Sequence, residues 1–264
     1  MYGRIAGFLL IFALYCSGPA HSQTLHVISV ADTEDATIGA GTAANSELLE
    51  GYATVVAKLT KLRLSFTPIS GAKFGCTEIL KAVADLQAKP NDVIIFYYSG
   101  HGFAPESDPS RPGTPAASRF PWFFCNPENK RPNLEAIGRD LKAKGARLVI
   151  TVADTCNIIL PVAEAPLASK GVIEERIRAM FLNYKGSILV TSSKREQESW
   201  YNPTGGLFTV KFLHLLRNPP DIDQSKLWDA ILERARERIL VDSSGGRQII
   251  QEPEIPVPDL VFIR

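Results

Sequence analysis

The feature that most limits what this chain can fold into is its alternation of short apolar β runs with segments of helical period. Runs at residues 25–30, 62–69, 92–98, 147–153 and 186–192 are rich in branched and aromatic side chains. Between the first two, Leu48, Leu49, Tyr52, Val55, Val56 and Leu59 recur at helical spacing over residues 45–62. Ile79, Leu80, Val83 and Leu86 do the same over 77–87, where Thr77 is the expected cap. Further helices are expected over 133–144, 172–182, 206–217 and 226–239, the last capped by Ser225, with residue 170 still in a loop. Strands alternating with helices imply an α/β fold with a largely parallel sheet covered on both faces. The proline-broken tail, 248–263, reads as an edge strand with extended packing. Open sheets of this kind bind ligands beyond the carboxyl ends of their strands.

Composition sets outer limits. With 264 residues, 45% of them hydrophobic, the chain can enclose a full-sized core as one domain over residues 23–264. Its 29 basic and 28 acidic residues nearly cancel, and no basic cluster is interleaved with aromatics, so nucleic acid is not an expected partner. Residues 1–22 read as a secretory signal: Arg4, an apolar stretch over 5–15, then small residues ending Ala20-His21-Ser22. Cleavage is expected before Gln23, with Gly18-Pro19-Ala20 as second choice and an uncleaved anchor as the alternative. The mature protein is then exported, to the periplasm or the extracellular space, and holds no membrane segment. Three cysteines remain after such a cut, Cys76, Cys125 and Cys156. One must stay single, and the other two either pair or serve as small buried hydrophobes.

Chemistry concentrates at two strand ends. Ser99-Gly100-His101-Gly102 follows the 92–98 run, and Asp154-Thr155-Cys156-Asn157 follows the 147–153 run. A thiolate, not a thiol, attacks carbonyl carbon, so an imidazole that takes the thiol proton makes Cys156 a nucleophile. The N–H groups of Gly102 and Cys156 are candidate oxyanion donors. Asp154 has three open roles: holding a cationic substrate group, orienting His101, or capping a loop. Taken singly, His101 can be a satisfied loop histidine and Cys156 an inert buried thiol; both at strand ends point to catalysis. Gly39-Ala-Gly41-Thr-Ala-Ala44 has the look of a dinucleotide fingerprint but begins well past its strand, with no acid placed to hold a ribose. No serine-hydrolase elbow, zinc or phosphate-loop pattern occurs.

These two elements, in this order, resemble the caspase and metacaspase group of cysteine peptidases. Similarity continues through Thr191-Ser192-Ser193, Gln197-Glu198-Ser199 and Gly206-Leu207-Phe208-Thr209. The resemblance implies a caspase-like three-layer sandwich with a mostly parallel six-stranded sheet flanked by helices. It also implies endopeptidase activity on peptide or protein substrates through a His101/Cys156 dyad. Asp154 in the metacaspase manner implies Arg or Lys before the cleaved bond, with Asn45 and Ser192 completing the substrate pocket. Asn45 stands where the group commonly has a second pocket acid, and the acidic cluster of calcium-dependent members is not evident. No metal or other cofactor is therefore expected. Lys170 is a candidate self-cleavage point or an ordinary solvated lysine. A non-catalytic module that binds peptides or proteins is the alternative function.

Overall fold

The computed structural model describes residues 23–104, 118–155, 170–195, 197–242 and 248–263. The elements run β1 (Thr24–Ala31), α1 (Gly39–Thr60), β2 (Arg63–Ser70), α2 (Cys76–Asp85), β3 (Val93–Gly100), β4 (Gly102–Phe103) and β5 (Trp122–Phe123). There follow α3 (Leu134–Lys142), β6 (Leu148–Thr155), α4 (Lys170–Leu182), β7 (Tyr184–Thr191), β8 (Tyr201–Asn202) and β9 (Gly205–Gly206). The chain continues with α5 (Leu207–Arg217), α6 (Leu227–Ala235), β10 (Ile239–Asp242), β11 (Gln248–Gln251) and β12 (Asp259–Phe262).

A six-stranded sheet of order β12-β7-β6-β3-β1-β2 forms the middle layer. All its pairings are parallel except that of β12, which runs antiparallel to β7 along the edge. This is the mostly parallel six-stranded sheet flanked by helices that was expected from the sequence. β1, β3 and β6 are buried along their whole length, which explains why their sequences are continuously apolar rather than alternating. One face packs Leu49, Val56, Met180, Phe208, Phe212 and Trp228 from α1, α4, α5 and α6. The other packs Ile79, Val83, Ile137 and Leu141 from α2 and α3.

Several local expectations change. The first helix begins at Gly39, not at residue 45, because its small residues let it sit tight against its surroundings. A side chain at Gly39 would meet the Thr33 carbonyl at 2.6 Å, and one at Gly41 the Asn202 carbonyl at 2.7 Å. The glycines that mimic a dinucleotide fingerprint are thus packing residues. Thr77 lies inside α2, whose N-cap is Gly75. Ser225 lies in a short 3-10 turn, whose Asp223 carboxylate accepts the Ser225 N–H. Lys170 opens α4 instead of lying in a loop. β3 and β6 each run two residues further than the apolar runs suggested, so Ser99-Gly100 and Asp154-Thr155 belong to the sheet.

Cys76 and Cys125 form a disulfide with a Cα–Cα distance of 5.2 Å, which ties the start of α2 to the segment after β5. The expected signal at residues 1–22 lies outside the described residues. No helix among the described residues is long and apolar enough to cross a membrane.

Candidate active site

β3 and β6 are neighbours in register, with Ser99 opposite Asp154 and Gly100 opposite Thr155. His101 follows directly. Cys156, the expected nucleophile and second oxyanion donor, lies outside the described residues, one peptide bond beyond Thr155. The two strand ends touch: a Cβ at Gly102 would lie 2.9 Å from the Thr155 Cβ, so only glycine fits there.

The backbone at His101 is pinned from two sides. The Tyr98 hydroxyl donates to its carbonyl at 2.7 Å and the Phe124 N–H at 2.9 Å. Tyr98 in turn stacks on Phe123, with ring centroids 3.8 Å apart. The half-buried imidazole places Nε2 3.1 Å from Oδ2 of Asp35, and the Phe124 ring stands edge-on to it at 6.3 Å.

Asp35 was not singled out from the sequence. It lies in the loop between β1 and α1, and β1 adjoins β3, so that loop opens at the same end of the sheet as His101. Its Oδ1 accepts the N–H of Thr37 at 2.7 Å, the Thr37 hydroxyl at 2.5 Å and the Ile38 N–H at 3.0 Å. Partial burial raises its pKa, but these bonds and the charge of His101 outweigh that and bring it to about 2. Asp32 lies against Gly100, whose added Cβ would meet the Asp32 Cβ at 3.3 Å. Burial, then the charge of Asp35, pushes the Asp32 carboxyl up, with His101 pulling the other way. The available signal was an Asp-x-Thr turn directly after a central strand, a pattern shared with ordinary loop caps.

The structure gathers the residues expected in the substrate pocket into a closed polar network. Asp154 has no exposed surface. Its Oδ1 accepts the Ser199 hydroxyl at 2.7 Å, and its Oδ2 accepts the Thr209 hydroxyl at 2.6 Å and the Thr209 N–H at 3.1 Å. The Tyr201 hydroxyl donates to its backbone carbonyl. Burial raises the Asp154 pKa, with the Thr209, Ser199 and Ser192 hydrogen bonds opposing. Asn45, equally buried, donates to the Ser99 hydroxyl at 3.0 Å and accepts the Gly206 N–H at 2.9 Å. Ser192 accepts the Thr155 N–H at 3.1 Å and so ties β6 to the segment after β7. The carboxylate bonded to Nε2 of His101 is that of Asp35, while the Asp154 carboxylate bonds Ser199 and Thr209.

A cleft of about 350 Å³ opens beside Gly102 and Thr155. Its charged lining is Arg119, Lys194, Arg195 and Glu198. Arg119 pairs with Glu254 and Lys194 with Glu252, each at 3.2 Å, and Arg195 donates to the Ser118 carbonyl at 3.1 Å. The tail fastens this wall. Gln251, fully buried, accepts the Trp200 N–H and donates to the Ser192 carbonyl and the Ser199 hydroxyl. Among the described residues no group of three or more His, Cys, Asp or Glu is placed to hold a metal ion.

Residues 57–256 match the family profile described as the caspase domain. No curated protein matches the sequence. Among solved structures, a protein from Geobacter sulfurreducens is similar at 13% identity, over 89% of this chain and 92% of that one, with a TM-score of 0.48. Caspase-1 from Spodoptera frugiperda is similar at 14% identity, over 96% of this chain and 93% of that one, also with a TM-score of 0.48. The profile spans most of the sequence, and on that ground the chain belongs to the caspase-domain family, whose members are typically cysteine peptidases.

Proposed function

We propose that this protein is a cysteine endopeptidase with Cys156 as nucleophile and His101 as general base and acid. The observation that carries the reading is the register of β3 and β6, which brings Gly100 opposite Thr155, one residue before His101 and Cys156 respectively. Consecutive Cα atoms are about 3.8 Å apart, so chain connectivity alone keeps both residues at one sheet end. In the reaction the Cys156 thiolate attacks the scissile carbonyl carbon. The N–H groups of Gly102 and Cys156 hold the oxyanion, and His101 gives its proton to the leaving amine. Water then attacks the thioester with His101 as base and regenerates the thiol.

The preference for Arg or Lys before the cleaved bond carries a structural condition. Asp154 is enclosed beneath Tyr201 and Gly206, so its carboxylate meets a substrate cation only if the β8–β9 hairpin yields. Unmoved, the open cleft presents Arg119 and Lys194 already paired with Glu254 and Glu252, beside Arg195 and Glu198, a lining with no excess carboxylate to attract a basic group. The enclosure of Asp154 is also the observation that favours the second reading, a peptide-binding module without turnover. Export fits the Cys76–Cys125 disulfide, since such bonds persist in oxidising compartments.

The test is a panel of fluorogenic peptides ending in Arg, Lys or Asp, assayed with wild type, Cys156→Ala and His101→Ala. Turnover that both variants abolish is expected. Binding without turnover in every case supports the module, and turnover surviving in Cys156→Ala rules out the assigned nucleophile.

A further inference from the structure

We propose that Asp35 is the positioning residue of a Cys156–His101–Asp35 arrangement, holding the imidazole by Nε2 so that proton exchange with the thiol falls to Nδ1. The proposal rests on the dyad reading above and extends it to a third side chain.

The contact itself fixes the chemistry. An ionised carboxylate can only accept, so the 3.1 Å bond from Asp35 Oδ2 places a hydrogen on Nε2 of His101. In the neutral ring the lone pair then lies on Nδ1, the nitrogen that acts as base. When the proton moves from Sγ of Cys156 to Nδ1, a thiolate and an imidazolium form. Asp35 stays ionised and faces the new positive charge.

The carboxylate is itself held in place. Oδ1 takes all three donors from Thr37 and Ile38, which leaves Oδ2 directed at the ring. Those donors and His101 bring its pKa to about 2 against the effect of burial, so it is charged across the range in which a thiol titrates. Asp32 on the same loop acts on the ring by its charge, and from the segment after β5 Phe124 stands edge-on to it, with Arg131 over the Phe124 ring at 4.2 Å. Asp32 adds a second carboxyl on the Asp35 side. The ring is thus held by a carboxylate from the loop and packed against the Phe124 ring.

The test measures iodoacetamide alkylation of the Cys156 peptide by mass spectrometry from pH 5 to 9, in the full chain. Variants are Asp35→Asn, Asp35→Glu and His101→Ala, each checked by thermal melting. Asp35→Asn keeps an acceptor for Thr37 and Ile38 but turns an amide toward Nε2, which favours the wrong tautomer. The expected result is a half-alkylation pH raised by about one unit, because an opposite charge at this range shifts such equilibria roughly tenfold or more. Peptide turnover falls at least tenfold in kcat with KM little changed, and Asp35→Glu recovers part of both. His101→Ala altering alkylation while folded Asp35→Asn matches wild type overturns the role of Asp35 and leaves the dyad intact. Alkylation indifferent to His101→Ala removes the dyad and the proposal together. The ring 15N shifts of wild-type His101 read the tautomer without any variant: a hydrogen on Nε2 is expected, and one on Nδ1 at neutral pH refutes the arrangement.

Discussion

Asp154→Ala tests whether the Asp154 carboxylate is a structural centre before it is anything else. The side chain is fully buried and accepts from the Ser199 hydroxyl, the Thr209 hydroxyl and the Thr209 N–H. Truncation to a methyl group orphans the Thr209 N–H and removes one bond from each hydroxyl, Thr209 keeping its bond to Tyr97 and Ser199 its bond to Gln251. An orphaned buried N–H costs about 1–3 kcal/mol and each lost hydroxyl bond about 0.5–1.5 kcal/mol, so the loss sums to roughly 2–6 kcal/mol. For a domain of this size that corresponds to a melting temperature lower by roughly 4–24 °C. Asp154→Asn keeps an acceptor for Thr209, and the Ser199 hydroxyl can rotate to accept from the new amide, so its cost is about 1 kcal/mol. Burial raises the Asp154 pKa, so the folded chain binds that proton more tightly than the unfolded one. The sign follows: this contribution to stability is full below the ordinary pKa of 3.8 and is lost as pH rises through the folded value. Urea titrations from pH 4 to 8 read both effects. An Asp154→Ala variant within about 1 kcal/mol of wild type at neutral pH refutes the reasoning, because an orphaned N–H and two lost hydroxyl bonds cannot cost so little. A wild-type pH slope that persists unchanged in Asp154→Asn refutes the assigned source of the slope.

Gly102→Ala forces a methyl group to within 2.9 Å of the Thr155 Cβ, so it is expected to splay the two strand ends and cost about 1–3 kcal/mol; calorimetry beside the peptide assay checks that stability and turnover fall together. Replacing both Cys76 and Cys125 by Ser opens a link of sequence separation 49, with an expected loss of about 4 kcal/mol on the chain-entropy scale, read by denaturant unfolding. Asp92 accepts the N–H groups of Lys89 and Thr24 and pairs with His26 at 3.1 Å; burial raises its pKa, but these bonds prevail and lower it. A depressed carboxyl stabilises above its ordinary 3.8 and loses that contribution as pH falls below it, so acid unfolding is expected to flatten below pH 4 in Asp92→Asn.

The sheet was legible because its central strands are buried on both faces, which writes them as continuous apolar runs that no surface strand would tolerate. Element ends were less legible. Ser99-Gly100 and Asp154-Thr155 read as loop residues, yet their backbone bonds continue the ladder while their side chains enter a polar network rather than the apolar core. The enclosure of Asp154 was not legible either: a carboxylate at a strand end has the same one-letter signature whether it faces a cleft or Thr209. Asp35 escaped notice for a different reason. Its meeting with His101 depends on β1 lying beside β3, a neighbour relation that no local spacing records.

The tail has a consequence in time. Gln251 bonds Ser192, Ser199 and Trp200, and Glu252 binds Lys194 and Gln197, so the wall of the cleft is built partly from residues about a hundred positions beyond Cys156. Synthesis runs toward them from the amino-terminal side. A nascent polypeptide that already carries His101 and Cys156 therefore still lacks the residues that brace its cleft, and the wall is complete only once residues 251 and 252 have been added.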